Sequence, residues 1–229
     1  MLTCLCDAYY GEVGIATVKV LEHLGCAVEF DSAQTCCGQP AFNSGDWEEA
    51  KKVAARCKGI FTKASTPIVA PSASCVAMVR EGYHALFGAE NGLPIYELAE
   101  FIVHQLGIDR WDGMKPYPHR CAFHQACHGR SIHLGNEQRS LLESVPEIEL
   151  VEFASQEQCC GFGGSFCVTQ GKLSSEIGLE KLHEIQAAGA TEIVSGDMGC
   201  LLHLNGLIMK NHLNLRTRHF AEVLAEVAA

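Results

Sequence analysis

Positive charge is scarce in this chain. Its 17 Lys and Arg stand against 27 Asp and Glu, a formal net charge of −10, so no basic patch awaits a phosphate backbone or an anionic lipid surface. Nucleic acid and membrane surfaces are thereby excluded as partners. Long apolar runs are also missing. The longest charge-free stretch, between Lys63 and Arg80, holds Pro67, Pro71, Ser65, Ser72 and Ser74, too short and too polar to cross a bilayer. Met1 leads into Cys4, Cys6 and Asp7 instead of a basic-then-apolar leader, and a cytoplasmic location is expected. No Gly-x-Gly-x-x-Gly follows a strand-like run. Gly161-Phe162-Gly163-Gly164 imitates it poorly, so nicotinamide or flavin binding is not indicated.

What the chain has is cysteine: 13 of 229 residues, in a sequence whose 48% hydrophobic content supports an ordinary packed core. In a reducing compartment structural disulfides rarely persist, and an odd count argues against a paired framework. Metal ligation or thiol redox chemistry is the alternative, and the spacing decides. The tripeptide Cys-Cys-Gly occurs at Cys36-Cys37-Gly38 and again 123 positions later at Cys159-Cys160-Gly161. Cys4 precedes the first copy, and Cys127 the second, by the same 32 positions. Cys75 follows Cys37 by 38 positions and Cys200 follows Cys160 by 40. Each half closes on a similar phrase, Glu97-Leu98-Ala99-Glu100-Phe101 and His219-Phe220-Ala221-Glu222-Val223. Four cysteines and a helix thus repeat in register. The turn-like segment Asp109 to Pro118 separates two units, 1–108 and 119–229.

Short β-like runs alternating with amphipathic stretches predict an α/β fold, two tandem units with parallel sheets. In the first unit Leu2–Cys6, Ala27–Phe30 and Ile68–Ala70 read as strands. A helical stripe runs through Ile15, Val18, Leu21 and Leu24 to a stop at Gly25, a second helix starts at Asp46, and a third opens at Ser74 or Cys75. The second unit repeats the order: strand Arg120–His124, helix Glu137–Val145, strand Ile148–Phe153, helix Ser174–Ala188, strand Glu192–Ser195. The repeated cysteines then fall beyond the C-terminal ends of strands, where open α/β sheets gather ligands. The candidate ligands are Cys4, Cys36, Cys37 and Cys75 in one set, and Cys127, Cys159, Cys160 and Cys200 in the other. Gly38 and Gly161 let the backbone turn so that adjacent thiolates face one centre.

Four thiolates per unit without an aspartate-rich loop select a soft metal, an iron–sulfur cluster or zinc. Structural zinc draws close Cys-x2-4-Cys pairs, unlike this scattered set, so the cluster is the better reading. His124, His128 and His203 stand beside the ligand segments and read as hydrogen-bonding or packed residues. Cys26, Cys57 and Cys121 read as packing, and Cys6 and Cys167 as close neighbours of the ligands or substitutes for them. The alternatives are a scaffold that binds zinc or no metal, and a metal-free thiol-redox protein, although Cys-x-x-Cys suits the latter better than adjacent cysteines.

The segments GIATVKVLEHLGC (Gly14–Cys26), QTCCGQPAFNS (Gln34–Ser44), PSASCVAMV (Pro71–Val79), HQACHG (His124–Gly129), CCGFGGSF (Cys159–Phe166) and DMGCLLHL (Asp197–Leu204) resemble the cysteine-rich Cys-Cys-Gly domain family. That family includes the cysteine-rich component of heterodisulfide reductase, the iron–sulfur component of glycolate oxidase and a lactate-utilisation branch, to which the likeness is closest. The resemblance implies an iron–sulfur subunit, one or two clusters per chain, in a cytoplasmic complex oxidising L-lactate to pyruvate. Its implied partners are a ferredoxin-like iron–sulfur subunit and a third small subunit. In heterodisulfide reductase each repeat ends in Cys-x-x-Cys, giving five cysteines and a noncubane cluster. Here Ser72 and Asp197 replace the first cysteine of that pair, so four thiolates fit a [4Fe–4S] cluster more readily and disulfide-reducing chemistry is not carried over. The uncharged loops at Gln39–Phe42 and Phe162–Phe166 suit either docking of a partner or shielding of a cluster.

Overall fold

The computed structural model describes residues 1–63, 65–88, 92–111 and 115–228; part of the expected linker, 112–114, lies outside them. In the first unit α1 (Cys4–Tyr9), α2 (Gly11–His23), α3 (Gln39–Asn43) and α4 (Trp47–Phe61) precede β1 (Ile68–Ala70). Then α5 (Ala73–Ala77) runs through a π-helical turn, Met78–Gly82, into α6 (Tyr83–Phe87). After β2 (Ile95–Glu97), α7 (Leu98–Glu100) continues as a second π-helical turn, Phe101–Gln105. The second unit runs β3 (Arg120–Phe123), α8 (Cys127–Ser131), α9 (Glu137–Glu143), β4 (Glu149–Leu150), α10 (Phe166–Thr169), α11 (Gly171–Ala187), β5 (Glu192–Ser195), α12 (Met198–Asn211), β6 (Arg216–His219) and α13 (Phe220–Ala228). Every strand pairing described is parallel, in a two-stranded sheet β1-β2 and a four-stranded sheet ordered β4-β3-β5-β6. The fold class is α/β.

The repeat is geometric as well as sequential. Ala70 pairs with Glu97 in one sheet, and Ser195 pairs with His219 at the same register in the other. Both β2 and β6 run straight into a helix through matching caps. The Glu97 carboxylate accepts from Ala99 N at 2.7 Å while Glu100 accepts from Glu97 N at 3.1 Å. His219 Nδ1 accepts from Ala221 N at 3.1 Å while Glu222 accepts from His219 N at 2.8 Å. Each reciprocal pair satisfies donors that a helix start leaves open.

Three local expectations fail. Leu2–Cys6 is not a strand: Thr3 caps a helix there, its hydroxyl accepting from Cys6 N at 3.3 Å, and such a cap outweighs a five-residue β pattern. Ala27–Phe30 forms no strand, and Phe30 is 61% exposed. In α2 the buried stripe is Val13, Ala16, Thr17, Val20 and Leu21, leaving Ile15 exposed. The helix is therefore turned from the expected face, toward α13.

That turn joins the units. Val20 and Leu21 of α2 and Leu98 of α7 share one apolar cluster with Leu141 of α9, Val194 of β5 and Phe220 and Leu224 of α13. Polar side chains cross as well: Gln138 Nε2 donates to the buried Glu97 carboxylate at 2.9 Å, and His219 Nε2 meets the Pro71 carbonyl at 3.2 Å. No helix among the described residues is long and apolar enough to cross a membrane.

Candidate metal centre

Each thiol set is assembled from corresponding elements. Cys4 opens α1 and Cys127 opens α8; Cys75 is the third residue of α5 and Cys200 the third of α12. Three of these four helices follow a strand, β1, β3 or β5, so their first turns sit at the C-terminal sheet edge. The Cys-Cys-Gly loops are brought to the same place by their glycines, both at φ +91°. A Cβ on Gly161 would come within 2.4 Å of the Ser174 carbonyl oxygen, and one on Gly38 within 3.0 Å of that of Ala50. Only glycine permits both the left-handed backbone and the close seat against α11 or α4.

The four sulfurs of each set converge. The Cys37 thiol donates to Cys75 Sγ at 3.6 Å, and Cys4 and Cys37 both lie beside Cys36. In the second set the Cys160 thiol donates to Cys200 Sγ at 2.7 Å, and Cys127 and Cys160 both lie beside Cys159. One thiolate is singled out in each. The neighbouring Cys37 and Cys4 thiols hold Cys36 down at about 3, helped by the Gly38 N–H at 3.4 Å. Cys127 and Cys160 do the same for Cys159, at about 2, with the Gly161 N–H at 3.4 Å. Cys4, Cys37, Cys127 and Cys160 are pushed up, first by the neighbouring Cys36 or Cys159, for Cys37 and Cys160 next by Cys75 or Cys200, and then by burial. Low-pKa, partly exposed thiolates are the nucleophiles and metal ligands among cysteines.

Both sets face a single cavity of about 260 Å³, lined by Cys4, Cys37, Cys75, Cys127, Cys159, Cys160 and Cys200. The residues standing in for the missing cysteines meet in its wall. Ser72 caps α5 and Asp197 caps α12. The Ser72 hydroxyl donates to Asp197 Oδ2 at 3.0 Å, the Ser74 N–H donates to the same oxygen at 3.0 Å, and Gly199 N donates to Oδ1 at 3.0 Å. In the sequence Ser72 and Asp197 present themselves only as lost ligands. Their identity as capping residue types just ahead of helices is the signal that could have pointed to this tie.

The remaining candidates separate clearly. Cys6 is buried in the core, its thiol pushed up to about 12 chiefly by burial. Cys57 and Cys121 are buried too, and Cys167 Sγ donates to the Gly164 carbonyl at 3.0 Å. His128 lies against Gln39 Nε2 at 3.4 Å, and His203 meets the Ser174 carbonyl at 3.2 Å. His124 differs: it is 1% exposed, neither ring nitrogen has a hydrogen-bond partner among the described residues, and its ring lies within 4.8 Å of the Cys160 and Cys200 sulfurs. Phe42 stacks on Trp47 with ring centres 5.5 Å apart, while Phe162 lines the cavity.

Thiolate sulfur with imidazole nitrogen nearby is a soft donor set, suited to iron–sulfur clusters or zinc and not to calcium or magnesium. The cysteine-rich domain (CCG) family model matches residues 1–80 and 121–205. Lactate utilization protein A of Geobacillus kaustophilus is 40% identical over 97% of this chain and 96% of its own length. The proteins of that name from Geobacillus thermodenitrificans and Oceanobacillus iheyensis are 39% and 37% identical, covering 97% of this chain and 96% and 94% of their own. Among solved structures, a putative Asp/Glu racemase from Yersinia pestis aligns at a TM-score of 0.35 and 11% identity, covering 98% of this chain and 94% of its own. With both Cys-Cys-Gly halves matched and relatives similar from end to end, the chain belongs to the family of cysteine-rich CCG domain proteins.

Proposed function

We propose that this protein is an iron–sulfur electron-transfer subunit of a cytoplasmic complex that oxidises L-lactate. The observation that carries the reading is the duplicated grouping of cysteines around one cavity, which Cys4, Cys37 and Cys75 of the first set and all four of the second line; the lowered pKa of Cys36 and of Cys159 supports it. Cys4, Cys36, Cys37 and Cys75 would hold one [4Fe–4S] cluster, and Cys127, Cys159, Cys160 and Cys200 a second. Such a cluster supplies reversible one-electron storage without proton chemistry. The chain's own part is to supply thiolates, exclude water and keep the two centres against each other. Relatives named for lactate utilisation support the substrate assignment. Hydride removal from lactate then belongs to the complex, with a ferredoxin-like iron–sulfur subunit and a third small subunit as partners, and this chain is non-catalytic or co-catalytic. The exposed Trp47 stacked on Phe42 offers an aromatic surface next to the first loop, flanked by Asp46, Glu48 and Glu49, where such a partner could dock.

Zinc has one specific observation in its favour, the close grouping of His124, Cys160 and Cys200. Anaerobic purification separates the readings. Iron and acid-labile sulfide, brown colour and an EPR signal on reduction are expected, with C37S and C160S each removing part of the signal. A colourless protein holding stoichiometric zinc refutes the cluster.

A further inference from the structure

Matching places behind the two Cys-Cys-Gly loops hold buried residues that differ in charge. A Cβ on Gly38 would meet the Ala50 carbonyl oxygen and the Ala54 amide nitrogen, and one on Gly161 the Ser174 carbonyl oxygen and the Gly178 amide nitrogen. Ala50 and Ala54 of α4 thus correspond to Ser174 and Gly178 of α11. Three residues on, the same buried helix faces carry Cys57 in the first unit and Lys181 in the second, both 0% exposed. In the first unit the place is neutral, because burial pushes the Cys57 thiol up. The Met1 amino group, which donates to the Val69 carbonyl at 2.6 Å, is held down to about 6 by burial and adds no cation there at neutral pH.

Lys181 reaches from α11 to the turn that leads into the second loop. Its ammonium donates to the Ser155 carbonyl, lies 3.5 Å from that of Gln156 and stands 5.0 Å from the centre of the Phe153 ring. No carboxylate pairs with it among the described residues. An ammonium taken out of water without a counter-charge is costly. Burial lowers Lys181 to about 8, against the pull of Cys160, Cys200, Glu184 and Cys159, so it keeps its proton at neutral pH. Three of those four groups belong to the second thiol set.

We propose that the Lys181 ammonium is the counter-charge of the second thiol set and makes the second centre easier to reduce than the first. The assignment rests on the iron–sulfur reading above. Lys181 does not line the cavity, and it needs no bond to a sulfur or a metal: a fixed positive charge behind the loop favours any added negative charge in front of it. At the effective dielectric constant of about 20 that describes buried sites, a unit charge about 10 Å away still shifts such an equilibrium more than tenfold. Net charge is among the properties that set the potential of an iron–sulfur site. With Cys57 at the matching place, the first centre has no such gain. The duplicated thiol sets thus yield two electron carriers that are not interchangeable.

The test is an EPR-monitored redox titration of the anaerobically purified full chain at neutral pH, reading the second centre in C36S/C37S and the first in C159S/C160S. The second centre is expected at the higher midpoint potential. K181M, which keeps the bulk of the side chain and removes its charge, should make the second centre harder to reduce by tenfold or more, about 59 mV, and leave the first unmoved. K181R, which keeps the charge, should hold the second centre near its parent value. The order of the two parent centres is read with Lys181 in place, so a K181M chain that fails to fold does not shield the assignment from refutation. A second centre at or below the first, or K181M that shifts it less than about twofold or shifts both centres alike, overturns the assignment and leaves the functional reading standing. If neither half of the wild-type chain takes up iron and sulfide, the functional reading fails and this assignment with it.

Discussion

Replacing Asp197 with alanine removes three hydrogen bonds at the junction of the two units. The carboxylate accepts from Gly199 N, Ser74 N and the Ser72 hydroxyl, each at 3.0 Å, and is 4% exposed. Loss of the α12 cap costs about 1 kcal/mol. The two bonds from the first unit are charge-assisted and worth about 1.5–3 kcal/mol each before the relief of no longer burying a carboxylate. A net loss of about 3–5 kcal/mol is expected for D197A. D197N should lose about 1–2 kcal/mol less, since the amide oxygen can still cap α12 while its NH2 group meets the Ser74 N–H donor. Urea unfolding of the metal-free protein under reducing conditions, followed by far-UV circular dichroism and by tryptophan fluorescence, reads the change. S72A and the double variant complete a cycle whose coupling should be about 1 kcal/mol or more. D197A within about 0.5 kcal/mol of wild type would refute the tie.

Three other outcomes follow from particular residues. G161A should destabilise by at least about 2 kcal/mol and more than G38A, since its Cβ meets a backbone oxygen at 2.4 Å instead of 3.0 Å and both stand at φ +91°; equal urea midpoints would contradict this. Burial raises the Glu97 carboxyl to about 7, against the hydrogen bonds from Gln138, Glu100 N and Ala99 N. The folded state therefore holds its proton where the unfolded state has lost it, and the stability of wild type relative to E97Q should fall as pH rises from about 4.5 through 7; a flat difference would show that burial does not control this carboxyl. In the metal-free protein iodoacetamide at pH 6 should alkylate Cys159 first, being an exposed thiolate, and Cys36 next. Peptide mass spectrometry that finds Cys26 or Cys167 ahead of both would show that these thiolates do not form.

The ligand sets are legible in the sequence because cysteine is a distinctive letter and the 123-residue offset of Cys-Cys-Gly survives the divergence of everything around it. Strands β1, β3 and β5 are legible as apolar runs entering the core. Strands β2 and β6 are not: Ile95–Glu97 is three residues long, and Arg216–His219 reads Arg-Thr-Arg-His, with no apolar alternation to announce it. Only the helical phrase after each can be recognised. At Leu2–Cys6 an apolar run misleads because a capping threonine decides the local conformation. Burial of a histidine without partners, as at His124, depends on the surrounding side chains and has no signature in sequence spacing.

The positions of Ser72 and Asp197 explain how the two thiol sets come to share a cavity. In the resemblance to heterodisulfide reductase these are the places of a further cysteine in each repeat. Here the pair bond to each other across the two units, and each also caps the helix that carries a candidate ligand, Cys75 three residues after Ser72 and Cys200 three after Asp197. A shift of either helix start would break the tie and move a sulfur. The cross-unit bonds Gln138 to Glu97 and His219 to Pro71 lie at the ends of β2 and β6, next to the same junction. Beside the packing of α2 on α13, the contact between the two units thus includes the first turns of α5 and α12, which carry Cys75 and Cys200. Separating the units would therefore pull apart the cavity as well as the core.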